Sequence, residues 1–208
     1  MPHDHLSPSG HPFREDNDTP LSYWQRMEIA VRELMIEKGH ITSEEVSRQI
    51  DAMDARSPAN GAAVVARAWV DPEFKEHLLK DASAASRDMG FDIGPLHLIA
   101  VENTATVHNL IVCTLCSCYP RNLLGLPPDW YKTRAYRSRV VIEPRSVLRE
   151  FGLDLNDDVQ VRVHDSTADM RYIVLPARPE GTQGMDEAAL AKLVTRDSMI
   201  GTGLPQTP

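Results

Sequence analysis

Apolar side chains recur at intervals of three and four residues from Leu21 through Trp24, Met27, Val31 and Leu34 to Met35. This spacing predicts an amphipathic helix, opened by Thr19-Pro20 and closed by Gly39. A second start follows at Ile41-Thr42-Ser43-Glu44-Glu45-Val46, where Thr42 and Glu45 can satisfy each other's backbone donors while Ile41 packs on Val46. An Ala- and Val-rich helix runs from Asn60 to Val70, and Asp71-Pro72 caps a fourth that reaches about Met89, with Gly90 as its stop. After Gly90 the period changes. His97 to Glu102 and Val107 to Cys113 read as short apolar strands, the second ending in a cysteine-rich loop. Pro127-Pro128 opens a helix carrying Trp130 and Tyr131, ahead of the basic run Arg134, Arg137 and Arg139, and another helix spans Pro144 to Gly152. Val159 to Val163 alternates apolar and polar, Tyr172 to Leu175 is a continuous apolar strand, and a final helix covers roughly Asp186 to Val194. Helices first, then a mixed sheet layered with helices, define an α+β chain with no internal repeat.

Composition narrows the class without naming a function. At 208 residues and 42% hydrophobic, the chain can bury one substantial core and carry a smaller helical appendage. No apolar run approaches the ~18 residues of a membrane span. With 30 acidic and 22 basic residues, the net charge of −8 argues against a nucleic-acid partner. Residues 1–20 are polar and rich in His, Pro and Asp, with His3, His5 and His11 among them; they predict a disordered tail and lack the pattern of a secretory signal. Residues 21–90 read as a helical arm and 91–208 as the α+β domain. Clustered rather than scattered cysteines suggest a reducing compartment, with the cytoplasm as the expected location.

All three cysteines of the chain lie within six positions, Cys113, Cys116 and Cys118. A C-x2-C-x-C spacing turns three sulfurs toward one point, where a soft transition metal fits. Structural zinc asks for a fourth ligand, for which His108 is a candidate, the alternative being a histidine satisfied inside the sheet. Cys113-Thr114-Leu115-Cys116 is also a C-x-x-C, but a dithiol redox site leaves Cys118 without a role. Iron–sulfur ligation usually asks for four cysteines. Three ordinary buried thiols are the plainest alternative. A further possibility uses the backbone: a highly charged cation held by the sulfurs can displace the amide protons of Ser117 and Cys118. Three sulfurs and two amidates then fill five corners of an octahedron and leave one open. Such an electron-rich set also makes the sulfurs oxidisable.

Val112-Cys113-Thr114-Leu115-Cys116-Ser117-Cys118 resembles the metal-binding claw of the nitrile hydratase α-subunit family. The resemblance extends to Ala68-Trp69-Val70-Asp71-Pro72-Glu73-Phe74, Val101-Glu102-Asn103-Thr104, Val107-His108-Asn109, Leu126-Pro127-Pro128-Asp129-Trp130-Tyr131-Lys132 and Val194-Thr195-Arg196-Asp197-Ser198. It implies a layered α/β/β/α catalytic domain and an arm that packs on a partner subunit. It implies one trivalent metal ion per chain, held by Cys113, Cys116 and Cys118 with the amides of Ser117 and Cys118. Cys116 would be a sulfinic acid and Cys118 a sulfenic acid. Thr after the first cysteine goes with non-corrin cobalt in this family and Ser with iron, so Thr114 favours Co(III). The implied reaction is hydration of a small nitrile to its amide by Lewis-acid catalysis at the open position, with Cys116, Ser117 and Cys118 as the catalytic group. The implied partner is a β subunit, whose arginines steady the oxidised sulfurs, in an αβ heterodimer or α2β2 assembly that is inactive as single chains. An activator or metal-loading protein is a further implied partner.

By the same resemblance, Asp165, Asp169 and Arg171 belong to a hydrogen-bonding shell reaching the subunit interface, although Asp169 replaces the family's more usual Glu. An exposed charge cluster explains the three equally well. Tyr136 is expected either to shape the interface or to be a packed aromatic. Three positions depart from the family pattern: Gly94 stands in place of a glutamine, His164 in place of a tryptophan, and Arg121 in place of a tryptophan that lines the substrate pocket. The related thiocyanate hydrolase γ subunit shares the cysteine loop and has arginine at the position of Arg121, which makes it the alternative enzyme. A non-catalytic cobalt-binding module, using the His-rich start, is the alternative outside enzymes.

Overall fold

The computed structural model describes residues 20–208, so nearly all of the expected tail, with His3, His5 and His11, lies outside the described residues. The chain divides into two compact units, up to Gln49 and from Ile50 onward. In the first, helix α1 (Tyr23–Glu37) starts not at Thr19-Pro20 but at Ser22. The Ser22 hydroxyl accepts from Gln25 N (3.3 Å), and the Gln25 side chain accepts from Ser22 N (2.8 Å), a reciprocal cap that sets the start. The apolar stripe of α1 is exposed, Trp24 at 77%. Helix α2 (Ser43–Asp54) has the expected box, with Glu45 N donating to Thr42 Oγ1 at 3.1 Å and Thr42 N to Glu45 Oε2 at 2.8 Å.

The second unit begins within α2 and takes in α3 (Pro58–Val70), α4 (Pro72–Lys80) and α5 (Ala82–Asp88). Helical periodicity alone groups these three with the arm. Their burial puts Val64, Val65, Ala68, Leu78, Ala82 and Ala85 in the same core as the strands. The helix expected from Pro72 to Met89 is two helices, because Asp81 repeats the device of Asp71. Asp71 Oδ1 accepts from Phe74 N (3.0 Å) and Asp81 Oδ1 from Ala84 N (2.9 Å), each capping a new helix.

Strands β1 (His97–Glu102) and β2 (Val107–Val112) follow, then α6 (Arg121–Leu124), α7 (Asp129–Lys132), α8 (Arg134–Arg139) and α9 (Pro144–Glu150). Thr133 ends the helix expected from Pro127-Pro128, and its extended backbone and hydroxyl cap α8, which carries the basic run. Strands β3 (Gln160–Asp165) and β4 (Met170–Leu175) precede α10 (Glu187–Ala191) and α11 (Arg196–Ile200). The strands form two parallel pairs rather than one mixed sheet. β1 runs with β4, His97 opposite Met170, and β2 with β3, Val107 opposite Gln160 and Val112 opposite Asp165. β2 lies against β1 and β4; α4, α5 and α11 cover the first pair and α9 abuts β3. This is the α/β/β/α layering of an α+β chain. No helix of the described residues is long and apolar enough to cross a membrane.

The Val-Glu-Asn-Thr and Val-His-Asn blocks form a buried polar knot at the start of β2. Asn103 Oδ1 accepts from Asn109 N (2.7 Å) and Asn109 Nδ2 (3.0 Å), and Asn109 Nδ2 also donates to the Glu102 carbonyl (2.7 Å). His108 Nε2 donates to the Gly201 carbonyl (2.7 Å), and its Nδ1 accepts from Asn103 Nδ2 (3.3 Å). Both ring nitrogens are satisfied only in the neutral imidazole, and burial pushes the His108 pKa down. His164 donates from Nε2 to Asn109 Oδ1 (2.8 Å) and stacks on Tyr172, which accounts for its place on β3. The knot ties β1, β2 and β3 to the turn after α11. There Gly201 sits at φ +94°, and a Cβ would fall 2.0 Å from the Asn109 carbonyl oxygen.

Gly201→Ala should lower unfolding stability by about 2–4 kcal/mol in denaturant titration, because backbone rather than a flexible side chain blocks the methyl group. Acid sensitivity carries a second prediction. The unfolded chain protonates His108 near pH 6.5 while the folded chain resists, so stability present above pH ~6.5 is lost as pH falls through and below that value. His164, also lowered by burial and by Arg162, contributes with the same sign. Unfolding midpoints measured from pH 7.5 to 5 should fall on the acid side, and less steeply in His108→Gln.

Candidate metal centre

β2 ends at Val112 and delivers Cys113 at the edge of the core, where it is 1% exposed. The chain then turns outward, leaving Cys116 exposed and Cys118 half-buried. Cys116 Sγ lies 3.4 Å from Cys113 Sγ and 3.1 Å from Cys118 Sγ, and the three sulfurs fall within 4.8 Å of one another. Cys116 N donates to Cys113 Sγ at 3.3 Å. The amides of Ser117 and Cys118 act on the Cys116 sulfur, and no carbonyl of the described residues accepts from either. The three sulfurs lie close enough together to be donors to one metal ion.

The spacing also bears on geometry. Donors at right angles with bonds of about 2.3 Å lie ~3.3 Å apart, whereas a tetrahedral set lies ~3.8 Å apart. The 3.1 and 3.4 Å separations suit the first arrangement. His108 is five residues back along β2, roughly 16 Å at the strand rise, and its ring is engaged by Asn103 and Gly201. It does not complete a Cys3His zinc set. Without a metal, hydrogen bonds from Cys118 and Cys113 lower the Cys116 pKa to about 7, and burial followed by the bond with Cys116 pushes Cys118 up to about 12. A bound cation would deprotonate all three thiols, and the sulfur donor set fits a soft transition metal.

Neighbouring elements fix the loop. The Asp165 carboxylate, at the end of β3, accepts from Thr114 N (2.9 Å) and Thr114 Oγ1 (2.5 Å). Arg137 Nη1 donates to the Thr114 carbonyl (3.3 Å), the Tyr131 hydroxyl to the Cys118 carbonyl (3.0 Å), and the Tyr136 hydroxyl to the Ile111 carbonyl (2.8 Å). Tyr131 is fully buried and meets Tyr119 edge-on at 5.1 Å. Tyr136 is 5% exposed against Trp130 and Phe151, so within this chain it is a packed aromatic.

A pocket of about 340 Å³ opens beside Cys116, Ser117 and Cys118 and is lined also by Arg56, Arg121 and Arg171. Arg171 curls over the β3–β4 turn, donating from Nη1 to the carbonyls of Thr167, Ala168 (3.1 Å) and Met170 (3.0 Å), and its charge favours the Cys118 thiolate. Of the residues expected at the site, the three cysteines, Ser117, Arg121 and Arg171 come together. Asp165 braces the loop through Thr114 without lining the pocket. Asp169 is an exposed turn residue whose carbonyl accepts from His97 N (2.9 Å), and it lies off the pocket. Gly94, at φ +68°, belongs to a turn held by Asp92 and Arg87, and Leu96 rather than Gly94 faces the pocket. Arg56, Tyr131 and Arg137 went unassigned in the sequence. Tyr131 lies in the quoted Leu-Pro-Pro-Asp-Trp-Tyr block, and Arg137 in the basic run, but Arg56 carries no local signal.

An α+β chain that gathers three cysteine sulfurs at a strand end is of the class whose sulfur cluster can hold a metal ion. Residues 22–203 match the family described as nitrile hydratase, alpha chain, and the chain belongs to that family. It is 50% identical over 183 residues to the low-molecular weight cobalt-containing nitrile hydratase subunit alpha of Rhodococcus rhodochrous, covering 86% of this chain and 87% of the relative. It is 43% identical over 198 residues to the thiocyanate hydrolase subunit gamma of Thiobacillus thioparus, covering 89% and 82%. A solved recombinant thiocyanate hydrolase with partially modified cobalt centres superposes with a TM-score of 0.85 at 43% identity, over 90% of this chain and 92% of that one.

If Asp165 holds the loop in its metal-binding shape, Asp165→Ala should weaken metal retention about 10–100-fold while the chain stays folded. Metal remaining per chain after a chelator challenge measures it; retention equal to the unaltered protein would remove Asp165 from that role.

Proposed function

We propose that this chain is the metal-carrying α subunit of a cobalt-type nitrile hydratase, a hydro-lyase that converts nitriles to amides. The observation that carries this reading is the cluster of three sulfurs, Cys116 Sγ lying 3.4 Å from Cys113 Sγ and 3.1 Å from Cys118 Sγ, in a chain 50% identical to a cobalt-containing α subunit. Cys113, Cys116 and Cys118, with the main-chain nitrogens of Ser117 and Cys118, would hold one non-corrin Co(III). When bound, the ion supplies Lewis acidity that makes the nitrile carbon electrophilic.

This chain's residues do the rest. Cys113 anchors the site in the core, while the exposed Cys116 and half-buried Cys118 face the pocket. Oxidation of Cys116 to sulfinic acid and Cys118 to sulfenic acid would place anionic oxygens there, and Arg171 supplies a cation to hold them. Such oxygens can accept a proton from water beside the nitrile. The exposed apolar stripe of α1 fits a β subunit that packs on the arm, and the open pocket one that closes the site, in an α2β2 assembly active only when both chains are present. The cytoplasm, and a protein that loads the metal, belong to the same reading.

Arg121 favours a second reading. It places a guanidinium on the pocket, which would suit hydration of anionic thiocyanate, the activity named for the gamma-subunit relative. Peptide mass spectrometry and elemental analysis of the assembled protein should find two oxygens on Cys116, one on Cys118 and one cobalt per chain. Zinc with unmodified cysteines would sink the claw. Assays with acrylonitrile and thiocyanate then separate the two enzymes, and turnover of thiocyanate alone would overturn the first reading.

A further inference from the structure

The pocket beside Cys116 and Cys118 has a charge pattern that hydrating a neutral nitrile does not require. In a chain of net charge −8, Arg56, Arg121 and Arg171 all line it, and no Asp or Glu of the described residues does. Arg171 has its role at the β3–β4 turn and beside Cys118. Arg56 and Arg121 come from other elements, the turn before α3 and the start of α6, and those elements are locked together. Gly61 of α3 lets α6 approach so closely that a Cβ would fall 2.8 Å from Leu124 Cδ2. Asn60 Nδ2 donates to the Asn122 carbonyl at 3.1 Å. Gly125, at φ +68°, sits so near the turn that a Cβ would lie 2.7 Å from the Arg56 carbonyl oxygen. The two guanidinium-bearing backbones therefore keep a fixed relation at this junction. Two planar guanidiniums carried on one junction suit a carboxylate, whose paired oxygens match their donors. The pocket, about 340 Å³, is within the roughly 300–1,000 Å³ range of small-ligand sites.

Resting on the nitrile-hydrating reading above, we propose that Arg56 acts with Arg121 as a specificity determinant for nitriles bearing a carboxylate. The guanidiniums hold the carboxylate and leave the C≡N end on the side of Cys116 and Cys118. No bond is made or broken at either arginine; they bind and orient. Arg56 is the discriminating position.

Cyanoacetate and its neutral isostere cyanoacetamide isolate the charge. Calorimetric titration of the assembled, cobalt-loaded complex should show tighter binding of cyanoacetate, with the preference shrinking as salt is raised. Arg56→Gln should weaken cyanoacetate about 10-fold relative to cyanoacetamide, and Arg56→Lys, which keeps the charge, by less. Equal binding of the two ligands by the unaltered complex would overturn the proposal. So would an equal loss for both ligands in Arg56→Gln, which would make Arg56 a general part of the wall. Failure of the complex to hydrate any nitrile would overturn the nitrile hydratase reading instead, and the binding comparison would still decide the role of Arg56.

Discussion

Three thiolates held this close repel one another, and the rest of the site answers that repulsion. Two unit charges ~3.3 Å apart cost about 5 kcal/mol at an effective dielectric of ~20. The loop nevertheless brings the Cys116 sulfur to 3.4 Å from Cys113 and 3.1 Å from Cys118. In the metal-free chain the repulsion is relieved by shared protons, which is why one thiol titrates low and its neighbour high. A metal ion bound by the three sulfurs would relieve it more fully, and in the proposed site the amides of Ser117 and Cys118 would join them. Tyr131, Arg137 and Asp165 keep the loop from opening by holding its backbone and Thr114.

The scaffold serves the same end from a distance. β2 is buried along most of its length and carries the claw at one end and the Asn103–His108–Asn109 knot at the other. The knot fixes where β2 begins relative to β1, β3 and the turn after α11. Its pairing with β3 then puts Val112 opposite Asp165, and so Asp165 beside Thr114. The family blocks around Asn103 and His108 thus position the site without touching it, and the same bonds make a histidine on this strand unavailable to the metal.

The sulfur cluster was legible in the sequence because its chemistry is local: three cysteines within six residues. The four strands and the caps of α2 and α4 were legible because alternation and capping are also local. Asp81 was harder, since it interrupts a helical period that continues past it and only the cap bond reveals the break. α6 and α11 are too short to show a period. The place of α3 to α5 in the core depends on what they pack against, which periodicity does not specify. Arg56 is the clearest case, because it reaches the site only through the packing of α6 on α3, 60 and more residues away in sequence. Asp169, grouped with Asp165 by resemblance, lies on the far side of a turn where its carboxylate does not reach the pocket.

Everything proposed for the site depends on the identity of the donors. X-ray absorption fine structure at the cobalt edge of the assembled protein tests this most directly. A first shell of three sulfurs and two nitrogens, with one further light atom, is the outcome the claw predicts. A shell of four sulfurs, or one of light atoms alone, would contradict it.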